Sequence, residues 1–218
     1  FSSLTREKLV LWLQLGGTLA IVFFVDQTLL ATPLLLFWWG VTFYPFSKRD
    51  ILLFVVTSFF FTVVDIMVLQ QGIFRFTDQD IWGMPYYEIF LWGFYFLHAH
   101  RLLGGSVPQR FVPGLVFSLL SMGALSLIPV VSFALVVTGG ILIGALAYFR
   151  TKDDLRYTAY LLIIGVFIEF LGTKTGTWAY NIDGYVFWWV VTWAVSGLVL
   201  YRTILPLCAM LAGRFEKK

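Results

Sequence analysis

Charge is what this chain lacks most. Asp, Glu, Lys and Arg make up 12% of its 218 residues and hydrophobic residues 60%, whereas a soluble domain carries roughly 25% charged residues. Half of the usual polar surface is missing, which excludes an ordinary water-soluble fold. Cysteine is reduced to Cys208, so no intrachain disulfide can form and the redox compartment is not readable. Alternating segments about ten residues long are absent, which excludes a transmembrane β-barrel. The first apolar block has no short core followed by a small-residue cleavage site, so no cleavable signal peptide is expected. With Phe1 at the start, a few native residues are expected to precede the numbering. Phosphate-cradling glycine loops and nucleophile elbows are also missing. The net charge of +3 is no nucleic-acid footprint, and no nucleic-acid partner is expected.

What is present is apolar sequence in long blocks. A bilayer span takes about 20 mostly apolar residues, and in lipid only helices or closed barrels satisfy their own backbone groups. The expected fold class is therefore all-α, a polytopic membrane helical bundle of about eight transmembrane helices in one domain over residues 1–218. The helices are read at 8–25, 28–46, 51–70, 86–103, 111–128, 130–149, 157–173 and 185–207. Asp26-Gln27, Ser47-Lys48-Arg49-Asp50, the stretch Gly104 to Pro108 and the polar run Arg150 to Arg156 punctuate them. Pro129 alone divides the fifth from the sixth.

Basic residues orient this arrangement. With the N-terminus inside, the cytoplasmic segments hold Arg6, Lys8, Lys48, Arg49, Arg101, Arg110, Arg150, Lys152, Arg156, Arg202, Arg214, Lys217 and Lys218; the outer segments hold only Arg75 and Lys174. Lys/Arg asymmetry sets orientation, so an integral multi-pass protein with both termini cytoplasmic is expected. Aromatic residues crowd the helix ends, among them Trp38-Trp39, Tyr44, Trp82, Tyr86-Tyr87, Trp178, Tyr185 and Trp188-Trp189. An interfacial belt explains such residues; a π-lined pocket for a cation, a polyene or an isoprenoid chain is the alternative.

Two outer loops repeat a pattern. In the first, Asp65 is followed by Gly72, Phe74 and Phe76; in the second, Glu169 is followed by Gly176, Trp178 and Tyr180 at the same spacings. Both sit at the outer end of a helix, four helices apart, as a 4+4 parallel duplication over 1–104 and 105–218 would place them. Asp65 and Glu169 lie one to two turns inside their helix ends, and Glu88 opens the fourth helix. Acids at that depth are costly and face a bundle interior or a wet cavity. Burial disfavours the charged form of a carboxyl, and a protonated carboxyl is a ready general acid. The plainer reading is that each acid caps a helix or pairs with Arg75 or Lys174.

Other candidates carry less. His98 and His100 lie two apart on a helix, face different directions and adjoin Arg101, which reads as a solvated helix terminus. No carboxylate-His cluster of the di-metal oxygenase type is present. Lys174 sits beyond its helix end in a Gly/Thr-rich turn and is a poor Schiff-base candidate.

The stretch from Asp65 to Trp92, with Gly72-Ile73-Phe74-Arg75-Phe76 and Gly83-Met84-Pro85-Tyr86-Tyr87-Glu88, resembles the repeated membrane segment of the heterodimer-type and fungal-type lycopene cyclases. Glu169 through Tyr180 is similar to the related carotenoid hydratases. The two segments cover about a quarter of the chain. The cyclase motif has two consecutive glutamates where this chain has Tyr87-Glu88, and the second segment has no Pro-x-Glu-Glu; its matching region reads Gly184 to Trp189. Hydration or isomerisation therefore stays open beside cyclisation. The resemblance implies acid-catalysed chemistry on a lipid-soluble isoprenoid, without redox cofactor or metal. Asp65, Glu88 and Glu169 are the expected catalytic residues, and Phe74, Phe76, Tyr87, Trp92, Trp178 and Tyr180 the expected substrate-binding ones. An ion-coupled transporter and a non-catalytic or pigment-binding subunit of a larger assembly are the rival readings. Membrane lipids are expected partners, and homo- or hetero-oligomers are possible.

Overall fold

The structure, a computed structural model, describes residues 3–108, 111–128 and 130–215. Pro129, Arg110, Lys217 and Lys218, all used in the sequence reading, lie outside the described residues. Among the described residues the regular structure is helical apart from two three-residue strands and an isolated bridge between Ile81 and Met84. In order it forms α1 (Ser3–Phe24), α2 (Thr28–Thr42), α3 (Lys48–Gln70), β1 (Phe74–Phe76), α4 (Glu88–Leu103), α5 (Phe111–Leu127), α6 (Val131–Phe149), α7 (Lys152–Thr175), β2 (Trp178–Tyr180) and α8 (Tyr185–Val199). A π-helical turn (Leu200–Ile204) then leads into α9 (Leu205–Phe215).

The eight expected helices correspond to α1–α8, with boundaries moved by local chemistry. Helix α3 starts earlier than expected because Ser47 and Asp50 form a reciprocal capping box at its N-terminus. Helix α7 starts at Lys152, inside what reads as a polar turn, for the same reason. There the Asp154 carboxylate accepts from the Thr151 N–H at 2.9 Å and its hydroxyl at 2.6 Å, and the Asp154 N–H donates to Thr151 Oγ1. At the far end of the chain the π turn carries α8 onward into α9, past the expected stop at 207.

Among the described residues, five helical stretches are long and apolar enough to cross a membrane: Glu7–Phe24, Lys48–Gln70, Val131–Phe149, Lys152–Thr175 and Tyr185–Gly213. Helices α2 and α5 are apolar but shorter, and α4 has 16 residues. The distribution of side chains is inverted relative to a protein in water. Leu29, Phe37, Phe59 and Ile143 are each at least 70% exposed, while Gln14, Thr18, Thr57, Ser121, Thr138 and Asp154 are fully covered. Apolar surface on that scale calls for a non-aqueous surrounding.

The chain divides into two compact units. The first contains the residues up to Gly104 together with Leu171–Asn181; the second contains Gly105–Phe170 and the residues from Ile182 onward. Gly104 also ends the first expected repeat, but Leu171–Asn181, expected in the second, clusters with the first unit. In the first unit α3 packs on α4 and α1 packs on α2 and α4. Gly93 makes the α3–α4 approach possible, since a Cβ there would overlap Ser58 Oγ. In the second unit α5 and α6 pack together and against α8, and the π turn packs on α5. Gly114 and Gly197 are its contact points, where a Cβ would meet the backbone of Arg202 and of Tyr157.

The strands form one antiparallel ribbon within the first unit, pairing Phe74 with Tyr180, Arg75 with Ala179 and Phe76 with Trp178. Gly72 and Gly176, with φ of 69° and 77°, make the turns from helix into strand.

Candidate functional site

Asp65 sits on α3, five residues before its last residue Gln70, and is 7% exposed. Its Oδ2 accepts a hydrogen bond from the Trp92 indole Nε1 at 2.5 Å. The pairing follows from antiparallel packing of α3 on α4. The Trp92 ring stacks on Phe61, one turn back along α3, at a centroid distance of 4.5 Å and an interplanar angle of 22°. Phe96 closes the group edge-on, 4.7 Å from Phe61 and 5.8 Å from Trp92. One carboxyl therefore lies against a cluster of three aromatic rings.

Glu88 is the first residue of α4 and is 8% exposed. It stands one helical turn before Trp92, so the two share a face of α4. The loop before it is fixed by reciprocal backbone bonds between Ile81 and Met84 and by Asp80, which accepts from the Tyr86 N–H at 3.2 Å. Tyr87 is buried beside Glu88, at 2% exposure. A carboxylate at a helix N-terminus also meets the favourable end of the backbone dipole.

The second unit holds a related pair. Trp193 Nε1 donates to Glu169 Oε1 at 3.1 Å, from α8 to α7. The indole lies on Gly165, where a Cβ would overlap the ring. Trp189, one turn before Trp193, is buried and lies 5.0 Å from the Tyr185 ring. At the other end of each helix pair the units match again. Arg101 binds Asp50 at 2.9 Å in the first, and Arg202 grips Asp154 through Nε and Nη2 at 2.5 and 2.6 Å in the second.

The expected aromatic residues separate into two groups. Phe74, Phe76, Trp178 and Tyr180 come together on the ribbon, with Phe74 on Tyr180 at 5.6 Å and Phe76 on Trp178 at 5.9 Å. Phe23 joins Trp178 at 5.9 Å, and the Trp178 ring occupies the space a Cβ on Gly172 would need. Trp92 belongs to the Asp65 cluster. Tyr44, Trp82, Tyr86 and Tyr185 are exposed, as residues of an interfacial belt must be, whereas Trp39, Tyr87, Trp178, Trp188 and Trp189 are buried.

Two expectations are corrected. Lys174 lies within the last turn of α7, which runs on to Thr175, and not beyond the helix end. His98 is no solvated helix terminus: it is 1% exposed, packed between Trp12 and Phe94 at 6.3 and 5.8 Å. Helix α4 is covered along most of its length, so nearness to Arg101 in sequence does not bring His98 to solvent. Sequence reasoning also missed Phe61 and Phe96, which look like filler in an apolar helix. Their signal is spacing: Phe61 precedes Asp65 by one turn, and Phe96 follows Trp92 by one turn. No protein-family model, no curated protein and no solved structure matches the chain.

Proposed function

We propose that this chain is a multi-pass membrane enzyme that protonates an isoprenoid lipid, most simply a carotenoid, in the first unit. The observation that carries the reading is the buried Asp65 carboxyl, oriented by Trp92 and walled by Phe61, Trp92 and Phe96, with Glu88 one turn away. The substrate class rests on the likeness of the Asp65–Trp92 segment to membrane lycopene cyclases. The enzyme has eight transmembrane helices, with α2, α4 and α5 completing the five long ones, and both termini are cytoplasmic.

A 4+4 duplication accounts for the paired geometry. Residues 47, 50, 65, 72, 74 and 76 have counterparts at 151, 154, 169, 176, 178 and 180, a constant step of 104, and residues 92 and 101 have counterparts at 193 and 202, a step of 101. The same acid–indole and Asp–Arg pairs recur at these steps.

In the proposed reaction the Asp65 carboxyl transfers its proton to the less substituted carbon of a terminal C=C bond. The π pair forms the new C–H bond and leaves a tertiary carbocation, which aromatic faces stabilise. A neighbouring C=C attacks it, and loss of a proton to a carboxylate then gives a cyclic isomer. Alternatively water adds and surrenders a proton to the Asp65 carboxylate, directly or by way of Glu88, giving a tertiary alcohol. Either route returns the acid. The aromatic cluster on the ribbon offers the apolar chain of such a substrate a contact surface.

A second reading is favoured by the recurrence itself. A carboxyl–indole clamp at one end of each helix pair and an Asp–Arg clamp at the other would hold a non-catalytic membrane subunit together. Co-expression in a lycopene-producing bacterium separates the two. A pigment of unchanged mass and altered retention marks cyclisation or isomerisation, and a gain of water marks hydration. Both should vanish with Asp65→Asn, which keeps an acceptor for Trp92. An unchanged pigment profile with the protein in the membrane would overturn the carotenoid reading.

A further inference from the structure

Proton donation needs the right oxygen as well as the right acid. A neutral carboxyl carries its proton on one oxygen and accepts hydrogen bonds best on the other, the carbonyl oxygen. At Asp65 the partner tells the two apart: Oδ2 accepts from Trp92 Nε1 at 2.5 Å, so the acid proton sits on Oδ1. An indole N–H donates and never accepts, so this bond keeps its direction before and after the proton leaves.

The donor is held from two directions. Its ring stacks on Phe61 at 4.5 Å and 22°, and Phe96 meets it edge-on at 5.8 Å. Its backbone is fixed by the next residue, Gly93, where a Cβ would overlap Ser58 Oγ and crowd the Phe54 carbonyl. Phe61 and Asp65 lie one turn apart on α3, so the helix that carries the acid also carries the support of its donor. The N–H is therefore in place before charge develops on the carboxyl.

We propose that Trp92 is a positioning residue of the Asp65 site: its N–H confines the acid proton to Oδ1 and stabilises the carboxylate that proton transfer leaves. This role rests on the proposed chemistry at Asp65, and it moves Trp92 from the expected substrate wall to the turnover step. As the π pair of the substrate takes the proton from Oδ1, the O–H electron pair stays on the carboxylate and its charge spreads onto Oδ2. The bond from Nε1 then becomes charge-assisted, so it is stronger in the transition state than in the bound ground state. An interaction of that kind raises kcat and leaves KM alone.

Trp92→Phe keeps a ring on Phe61 and removes the N–H. With the full chain in liposomes carrying increasing amounts of lycopene, this variant should lose about 30-fold in kcat, the fold-change of a lost hydrogen bond to a charged group, at an unchanged KM. Trp193→Phe removes the same donor from Glu169 in the second unit and should leave both constants nearly unchanged. Infrared difference spectra give a readout apart from turnover, because Asp65→Asn identifies the Asp65 carboxyl band by removing it. That band should move to higher frequency in Trp92→Phe, as a carbonyl relieved of a donor does, and stay in place in Trp193→Phe. A raised KM at unchanged kcat would make Trp92 a wall of the pocket, and an unmoved band would show that its N–H does not hold the acid; either overturns the assignment. A wild-type chain that converts no pigment would overturn the proposed function; a shifted band would then still support, and an unmoved one still overturn, the hold of Trp92 on Asp65. Should Trp92→Phe fail to fold, Phe61→Leu keeps the N–H and removes its support. It should broaden the band and lower kcat, and no change in either would overturn the assignment.

Discussion

The two units use one hydrogen-bonding scheme on different floors. In both, an indole N–H on the later helix of a pair meets a carboxyl near the end of the earlier one. In the first unit the indole stacks on Phe61; at the corresponding place in the second is Gly165, and the ring presses on backbone. Phe96 in the first corresponds to Gly197 in the second, and Glu88 to Trp189. The first unit thus surrounds its carboxyl with rings and sets a second carboxyl one turn away. The second sets glycines at the corresponding places, Gly165 under the indole and Gly197 on the Tyr157 backbone. Rings around an acid support a cation, whereas glycines under an indole support a tight helix contact. The difference teaches that one hydrogen-bonding scheme can rest on a ring in one unit and on a glycine in the other, and under the proposed function the ring-walled acid is the reactive one.

The ion pairs offer the largest effect. Arg202 and Asp154 have side chains 6% and 1% exposed, against 24% and 14% for Arg101 and Asp50. Arg202 also lies over the Phe149 ring at 4.2 Å and donates to Thr151. Removing one partner of a buried pair strands a charge at a cost of about 3–5 kcal/mol, whereas a partly exposed pair is worth about 1 kcal/mol or less. Both aspartates also cap their helices, so that contribution cancels in the comparison. Asp154→Ala should therefore lose far more stability in detergent than Asp50→Ala, as read by denaturant unfolding. Equal losses would erase the distinction between a cohesive second unit and a more open first.

Activity should split the other way. Asp65→Asn and Glu88→Gln should each lower product formation by about 100-fold or more, the scale of a lost general acid or base. Glu169→Gln should stay within about tenfold of wild type, since its carboxyl lies on the glycine-floored side. The assay is pigment conversion at matched membrane abundance. Equal losses at Asp65 and Glu169 would restore two working acids and end the asymmetric reading.

Most of the helices were legible in the sequence because long apolar blocks and basic loops are signals of composition. The helix starts at Lys48 and Lys152 were not read, because Ser47-Asp50 and Thr151-Asp154 look like polar turns until the caps form. The acids Asp65 and Glu169 were legible through spacing, but the strands that follow their glycines were not, both segments having been read as outer loops. Their partners Trp92 and Trp193 lie on neighbouring helices, at 27 and 24 residues' remove, and no local pattern ties them to the acids. His98 misled for the same reason: burial is a property of the helices around it, not of its neighbours in sequence.

The floor under Trp193 gives a smaller effect. Gly165→Ala places a methyl where the indole lies, and overpacking of that kind costs about 1–3 kcal/mol. Gly139 and Gly144, on α6 of the same unit, have open space at the Cβ position, so alanine there should be neutral or mildly stabilising. Unfolding of the three variants side by side separates a contact glycine from helix propensity. Destabilisation of all three alike would mean that the Trp193 contact contributes nothing.

The ribbon offers the smallest effect, and it bears on what the repeat means. Phe74 and Phe76 stand in one loop and Trp178 and Tyr180 in the other, which on sequence alone invites two equivalent pocket walls. The structure instead joins them as cross-strand partners in a single ribbon of the first unit. Directly opposed aromatic pairs contribute about 0.2–1 kcal/mol each. A double-mutant cycle of Phe76→Leu and Trp178→Leu should therefore show a coupling energy in that range. Residues lining two separate walls have no reason to couple, so a coupling near zero would split the ribbon into independent loops. It would also return each loop to its own acid, and with that the contrast between the two units would lose its aromatic half.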